Sequence, residues 1–172
     1  MTDAPIKTYV DFVLPSSIVT KVDVSRLVTE LERVDTEIAA LMIRVKAGSP
    51  DRTMPVLSEQ LTEFLHQNKL RLDNNQERAE LIKQVRLLKD KVPVLHMTFA
   101  VPADATSLQQ LAQWVRTTVH PQAVIVPGLQ PGLVAGVYLR TPNHVHDFSL
   151  RGALNGQHDA LVAELESYRG SK

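Results

Sequence analysis

The chain has no cysteine, no excess of either charge and no long apolar run. Without cysteine there are no disulfides, no thiolate catalysis and no cysteine-based zinc sites. Lysine plus arginine and aspartate plus glutamate both number 19, so the net charge gives no electrostatic case for binding nucleic acid or a membrane surface. No apolar stretch approaches the ~20 residues that a membrane helix needs, and the first residues do not resemble a signal peptide. We therefore expect a soluble, cytoplasmic protein.

The remaining composition is typical of a globular protein, and the apolar pattern changes once along the chain. Of the 172 residues, 44% are hydrophobic and 22% are charged, which is enough apolar material for one domain or two small ones. Before Pro93 the apolar residues recur with helical spacing, and after Pro93 a strand-like run begins. We predict a helical domain over 1–92 and an α/β domain over 93–172.

Residues 24–45 carry an apolar seam in which separations of three and four residues alternate, as in coiled-coil heptads. The seam residues are Val24, Leu27, Leu31, Val34, Ile38, Leu41 and Val45. Two interpretations are open: a long helix packed inside this chain, or a coiled coil with another chain. Two shorter helices follow, after Pro55 and up to about Val92, so we expect a three-helix bundle or helical hairpin. An extended segment is predicted over residues 8–14.

The second part of the chain alternates strand and helix signals. In order they are a strand over 94–101, a helix from Thr106 or Ser107 to Val119, a strand over 123–126, an apolar strand through Gly136, a turn over 141–143 with a short strand, and a helix over 150–168. Without the short strand after the turn, the order is β-α-β-β-α, which predicts a small sandwich, a mixed sheet with helices on one face. The whole chain is therefore predicted to be of the α+β class.

Residues 132–154 form the most distinctive stretch. Gly136 interrupts an apolar strand and would permit close approach of two backbones. Asp147 and Ser149 stand where the N-cap of the last helix is expected. Nothing in this stretch has the pattern of a catalytic centre.

This stretch resembles the C-terminal domain of the delta subunit of F-type ATP synthases, the family that includes the oligomycin-sensitivity-conferring protein. The matching positions are Ala135, Gly136, Val137, Leu139 and Arg140 in the strand, and Asp147, Ser149, Leu150, Arg151 and Leu154 at the helix start. The chain departs from the family pattern at Ala135, where a glycine is usual, and in the histidine-rich turn His144-Val145-His146. The resemblance covers residues 94–168. The first half differs, because the family has about six helices there and this chain is predicted to have three.

The resemblance implies a non-catalytic stator subunit that links the catalytic head of a rotary ATP synthase to its peripheral stalk. Its implied partners are the alpha-subunit N-termini and the b-subunit stalk, and contact with the membrane would be indirect, through the complex. It implies no cofactor. The interface candidates are Ala135, Gly136, Arg140, Asp147, Ser149, Arg151 and Leu154. Trp114 joins them because it lies off the apolar stripe of its helix, where a partner interface, a domain interface or the core could hold it.

Other interpretations of the same residues lead to other classes of function. A regulatory domain could bind a small ligand at the loop over 126–132 and dimerise through the seam of residues 24–45. His144 and His146, on one face of a strand, could begin a metal site, but solvent-facing histidines explain them and no third ligand is evident, so we predict no metal. Ser149, His146 and Asp147 superficially resemble a hydrolase triad, but they lie too close in sequence for its geometry. Asp147 and Ser149 as helix caps explain the same residues.

Overall fold

The computed structural model describes residues 7–48, 53–133, 135–141 and 143–169, so Pro142 of the predicted turn lies outside the described residues. The described elements are, in chain order, α1 (Lys21–Lys46), α2 (Glu59–Asn68), α3 (Asn75–Lys91), β1 (Val94–Phe99), α4 (Ala105–Thr118), β2 (Val124–Leu129), β3 (Gly136–Arg140), β4 (Val145–Ser149), α5 (Leu150–Gly156) and α6 (His158–Arg169). The predicted α+β class is confirmed. None of the described helices combines the length and the apolar character needed to cross a bilayer.

Helix α1 begins at a complete capping box. The Thr20 hydroxyl accepts a hydrogen bond from the Asp23 N–H at 3.2 Å, and the Asp23 carboxylate accepts one from the Thr20 N–H at 2.8 Å. Two backbone donors that the helix cannot satisfy internally are thereby paired. The helix ends at Lys46, and Gly48 follows with a φ of 87°.

The heptad seam is packed inside the chain over most of its length. Five of its seven members are buried, namely Val24, Leu27, Leu31, Val34 and Ile38. Helix α1 packs mainly against α3 and also contacts α2. Leu41 and Val45, near the end of α1, are half-buried, and their neighbours Met42 and Ile43 are exposed. The seam therefore serves as core, and only its last turns remain accessible.

The segment before α1 is not the extended stretch predicted over residues 8–14. It begins with a 3₁₀ turn over Tyr9–Asp11, because the Asp11 carboxylate accepts hydrogen bonds from the Thr8 N–H and hydroxyl. Beyond the turn the chain contributes four apolar side chains to the core: Phe12, Leu14, Ile18 and Val19. Phe12 meets Phe64 of α2 edge-to-face, with ring centroids 5.5 Å apart.

Buried amide side chains hold the backbone of this segment. Asn68, at the end of α2, accepts from the Val13 N–H at 2.8 Å and donates to the Val13 carbonyl at 2.9 Å. Gln122, just before β2, donates to the carbonyls of Tyr9 and Phe12 at 2.7 and 2.8 Å. Within the described residues no backbone group pairs with these groups, so the two amides supply the pairing that buried backbone requires.

Arg116 of α4 completes this arrangement. Its guanidinium donates to the carbonyls of Leu14 at 3.3 Å and Pro15 at 2.8 Å, to that of Ile18, and to that of Ala123 at 3.1 Å. Burial lowers the pKa of Arg116 from its ordinary value, although a guanidinium stays charged in proteins. One side chain thus joins the segment before α1 to the residue before β2.

The contacts divide the chain into two compact units. The first comprises residues 1–93 and 108–124, and the second comprises residues 94–107 and 125–172. The predicted domains, 1–92 and 93–172, stay a prediction, but residues 108–118, which are most of α4, group with residues 1–93. The hydrogen bonds of Arg116 and Gln122 give the physical reason.

The second unit contains the predicted mixed sheet, with strand order β2-β1-β3-β4. Strand β3 pairs antiparallel with both β1 and β4. Hydrogen bonds from the Val124 N–H to the Pro93 carbonyl and from the Gln130 N–H to the Phe99 carbonyl mark the two ends of the β1–β2 pair. Because the residue numbers increase in the same direction on both strands, β1 and β2 are parallel.

Two predicted helix boundaries are wrong. Helix α4 is capped by Asp104, whose carboxylate accepts from the Ser107 N–H at 2.9 Å, and not by Thr106 or Ser107. The single helix predicted over 150–168 is two helices, α5 and α6, separated at Gln157. Asn155 and Gly156 are poor helix formers, which weakens the helix at this point.

Replacing Leu31 by alanine should destabilise the first unit by about 2–5 kcal/mol, because the side chain is buried in the α1 seam. Urea unfolding followed by the fluorescence of Trp114, the chain's one tryptophan, measures this loss. Ile43→Ala, at an exposed position of the same helix, is the control and should change the free energy of unfolding by less than about 0.5 kcal/mol. Equal effects at both positions would contradict the packing described for α1.

Replacing Arg116 by methionine should cost about 3 kcal/mol, because four carbonyls lose their charged donor. Arg116→Lys should recover only part of this loss, since an ammonium cannot reproduce the planar fork of the guanidinium. The same unfolding experiment applies. Arg71→Ala removes a guanidinium that is 80% exposed and serves as control. A methionine variant as stable as the wild type would show that Arg116 does not hold the segment.

Candidate functional site

The junction between β4 and α5 is built from short-range hydrogen bonds. The Asp147 carboxylate accepts from the Ser149 N–H at 2.9 Å, and the Ser149 hydroxyl accepts from the Gly152 N–H at 3.1 Å. Hydrogen bonding from Ser149, through its hydroxyl and then its N–H, lowers the pKa of Asp147. A Cβ at Gly152 would lie 2.7 Å from the Asp147 carboxyl carbon, so glycine makes room for the carboxylate. Ser149 is therefore the N-cap of α5, as predicted from the sequence, and Asp147 holds the cap residue through its N–H.

Gly136 is required by the backbone geometry of β3. Its φ is 97°, in the region that side-chain-bearing residues rarely adopt. A Cβ there would lie 2.3 Å from the Phe148 carbonyl oxygen and 2.7 Å from the Ser149 Cα. Strand β4 thus passes directly over the glycine. The carbonyl of the preceding residue, Ala135, accepts the Leu150 N–H at 3.0 Å, which ties the start of α5 to β3.

A shallow groove lies at the start of α5. It has a volume of about 430 Å³ and is lined by Gly132, Leu150, Arg151, Leu154 and Asn155. Leu150 and Leu154 are 48% and 51% exposed, although leucines at this spacing lie on one face of a helix. Arg151, between them in sequence, is also exposed. The groove is thus an apolar surface with one cation.

The structure brings together only some of the predicted interface residues. Arg151 and Leu154 line the groove, and Gly136, Asp147 and Ser149 form the scaffold beneath α5. Arg140 is exposed at the other end of β3. Trp114 is 55% exposed, so core burial does not account for it, and it belongs to the first compact unit.

The histidines of the turn do not assemble a catalytic or metal site. His146 and Phe148 share one face of β4, and His144, the residue before the strand, continues the row, with successive ring centroids 6.2 and 5.9 Å apart. Because alternate residues of a strand face opposite sides, His146 points away from Asp147 and Ser149, and the three cannot act as a triad. Among the described residues, no three His, Cys, Asp or Glu side chains are grouped as metal ligands would be.

The sequence did not single out every residue of the groove. Gly132 lies in a 3₁₀ turn over Pro131–Leu133, and Asn155 lies one turn after Arg151. The only available signal for Asn155 was its position four residues after Arg151 on a predicted helix. The loop predicted over 126–132 is partly wrong, since β2 continues to Leu129.

Replacing Gly136 by alanine should destabilise the β3–β4 pair by at least ~2 kcal/mol, and valine should cost more, because any Cβ meets the β4 backbone. Amide hydrogen exchange of β3 and β4 measures this local effect. Gly132→Ala is a matched control, since a Cβ there would have no atom within 4 Å, and it should change exchange little. Equal protection in the two variants would contradict the close approach at Gly136.

Comparison with known proteins adds no relative to this picture: no protein-family model matches the chain, and no curated protein matches its sequence.

Proposed function

We propose that this chain is a non-catalytic, delta-like stator subunit that links the catalytic head of a rotary ATP synthase to its peripheral stalk. The observation that carries the proposal is the apolar groove with Arg151 at the start of α5. It occurs in the same stretch that resembles the family. A protein with this role needs surfaces that bind other proteins and needs no reacting group.

The groove and the helix after it have the chemistry of a helix-binding surface. Leu150 and Leu154 present apolar side chains, and Arg151 adds a positive charge beside them. Val162 and Leu165 of α6 are also exposed, at 39% and 65%. An amphipathic helix with an acidic side chain near Arg151 would cover such a surface. In the proposed role, this helix is the end of the b-subunit stalk.

The helical unit has exposed apolar side chains of its own. Met42 and Ile43, near the end of α1, are 51% and 69% exposed, and Met54 and Val56 beyond it are 60% and 82% exposed. Methionines and branched aliphatic residues adapt to apolar helix faces. In the proposed role, the helical unit receives the alpha-subunit N-termini. The protein would then lie in the cytoplasm, at the membrane only through the complex, and would need no cofactor.

Arg151→Ala should weaken binding to a peptide from the carboxyl-terminal end of the b-subunit stalk about tenfold, or ~1.4 kcal/mol, with thermal stability unchanged. Stability should be kept because Ser149 caps α5 without help from Arg151. A cation in the first turn is also mildly unfavourable to the helix dipole, by ~0.3–1 kcal/mol. Calorimetric titration gives the affinity, and a thermal melt of the same sample gives the stability.

Two further variants make the result specific. Leu154→Asp places a charge in the groove and should reduce binding further than Arg151→Ala. Arg71→Ala, an exposed arginine of the helical unit, should bind the stalk peptide as the wild type does. Unchanged binding in both groove variants would remove the groove from the interface. Absence of wild-type binding to both the stalk peptide and a peptide of the alpha-subunit N-terminus would overturn the proposed function.

A further inference from the structure

The two edges of the sheet differ in how they are protected. Strand β2, at one edge, contains Pro127, which has no N–H and blocks pairing with another strand. Strand β4, at the other edge, contains neither proline nor lysine, and residues 145–148 are all exposed. Edge strands without such protection are templates for pairing with a further strand.

The register of β3 and β4 determines which backbone groups of β4 point outward. Two hydrogen bonds, one at each end of the pair, show which residues of the two strands are hydrogen-bonded to each other. The Thr141 N–H donates to the His144 carbonyl at 2.8 Å, and the Leu150 N–H donates to the Ala135 carbonyl at 3.0 Å. In an antiparallel pair every second residue bonds inward, so even-numbered β4 residues face β3 and odd-numbered ones face away.

Only part of this outward edge is available. The outward N–H of Ser149 is bonded to the Asp147 carboxylate. Within the described part of the chain, Val145 and Asp147 are therefore the β4 residues whose outward N–H groups no other group takes. An added strand can form its backbone hydrogen bonds with these two residues.

We propose that β4 pairs antiparallel with β4 of a second copy of this chain. In the proposed register Val145 of each copy pairs with Asp147 of the other, and His146 faces its own equivalent at the two-fold axis. This register uses the two available residues of both copies. A register shifted by one pair in one direction would place Asp147 opposite Asp147 of the other copy and would need the Ser149 N–H, which is already bonded. A register shifted in the other direction would place Asp147 opposite Asn143, which lies beyond the strand. Two-fold pairing of this kind is the usual basis of a homodimer.

The side chains on both faces of the paired edge are compatible with this register. On one face His144, His146 and Phe148 form a row of rings, and His144 of each copy would stand opposite Phe148 of the other. On the other face Arg140 is the β3 neighbour of Val145, so Asp147 of the second copy would lie across one valine from it. The long arginine side chain can span that valine, and the opposite charges favour the pairing, once for each copy.

The proposal uses the edge of β4 and does not rest on the stator function, which uses the groove at α5. It is tested by engineered cross-links, since the chain has no cysteine of its own. His146→Cys places one thiol from each copy in a non-hydrogen-bonded pair, where Cα atoms lie about 4.5 Å apart, within disulfide range. Mild oxidation of the full chain should give a covalent dimer.

The register gives the cross-linking experiment its own controls. His144→Cys alone and Phe148→Cys alone should not cross-link, because neither residue faces its equivalent, but a mixture of the two variants should. The melting temperature of each reduced variant should match that of the wild type, which confirms that the sheet is intact. Equal cross-linking of all three single variants, or none with His146→Cys, would overturn the proposal.

A second measurement uses the chain without thiols. The mass in solution should rise with concentration from 19.2 kDa towards twice that value. Val145→Pro removes an outward N–H that the sheet does not use and should raise the dimer dissociation constant at least about tenfold, whereas Val145→Thr keeps the N–H and should stay within about threefold of the wild type. A wild-type chain that is monomeric up to about 1 mM, or a proline variant that dimerises as well as the threonine variant, would overturn the proposal.

Discussion

The first compact unit depends on a cation held by carbonyl oxygens. Arg116 binds the carbonyls of Leu14, Pro15, Ile18 and Ala123, and none of the carboxylates that the structure describes is its partner. A guanidinium in this position holds the end of the N-terminal segment, the residues that lead into α1 and the residue before β2 at the same time. Gln122 and Asn68 extend the same pairing along the segment. Because each partner is backbone, the arrangement depends on the path of the chain and tolerates change in the side chains along it.

The sequence predicted the elements that local rules govern and missed those that depend on distant partners. The buried seam of α1 was predictable from its helical spacing alone, and the Ser149 cap was predictable because its partners lie within three residues. The place of α4 was not predictable in this way. Arg116 and Gln122 look like ordinary polar residues of a helix and a turn, and their carbonyl partners, roughly a hundred residues earlier, leave no pattern in the sequence. Weak local preferences also led to two wrong helix boundaries, at the Asp104 cap of α4 and at the break between α5 and α6.

In the candidate site, some residues form the scaffold and others are presented to solvent. Gly136 and Gly152 stand where a Cβ would collide with β4 or with Asp147, so their identity follows from the close packing of the hairpin beneath α5. Of the positions on which the proposed resemblance to the delta family rests, Gly136, Asp147 and Ser149 belong to this scaffold. Recognition of a partner would fall to Leu150, Arg151, Leu154 and Asn155, which the scaffold presents to solvent. The unprotected edge of β4 is a second surface, which presents backbone groups where the groove presents side chains.

The first unit is formed by two separate stretches of the chain, and this has a consequence for biosynthesis. While the chain emerges from the ribosome, residues 1–93 appear before α4, which supplies Arg116. The carbonyls of Pro15 and its neighbours then lack their donor, so the N-terminal segment cannot dock stably. Closing a loop of this length also has an entropic cost that must be met before the contacts form. The helical unit should consequently reach its final state only after α4 has been synthesised, and for that interval the segment before α1 is left open to chaperones and to neighbouring nascent chains.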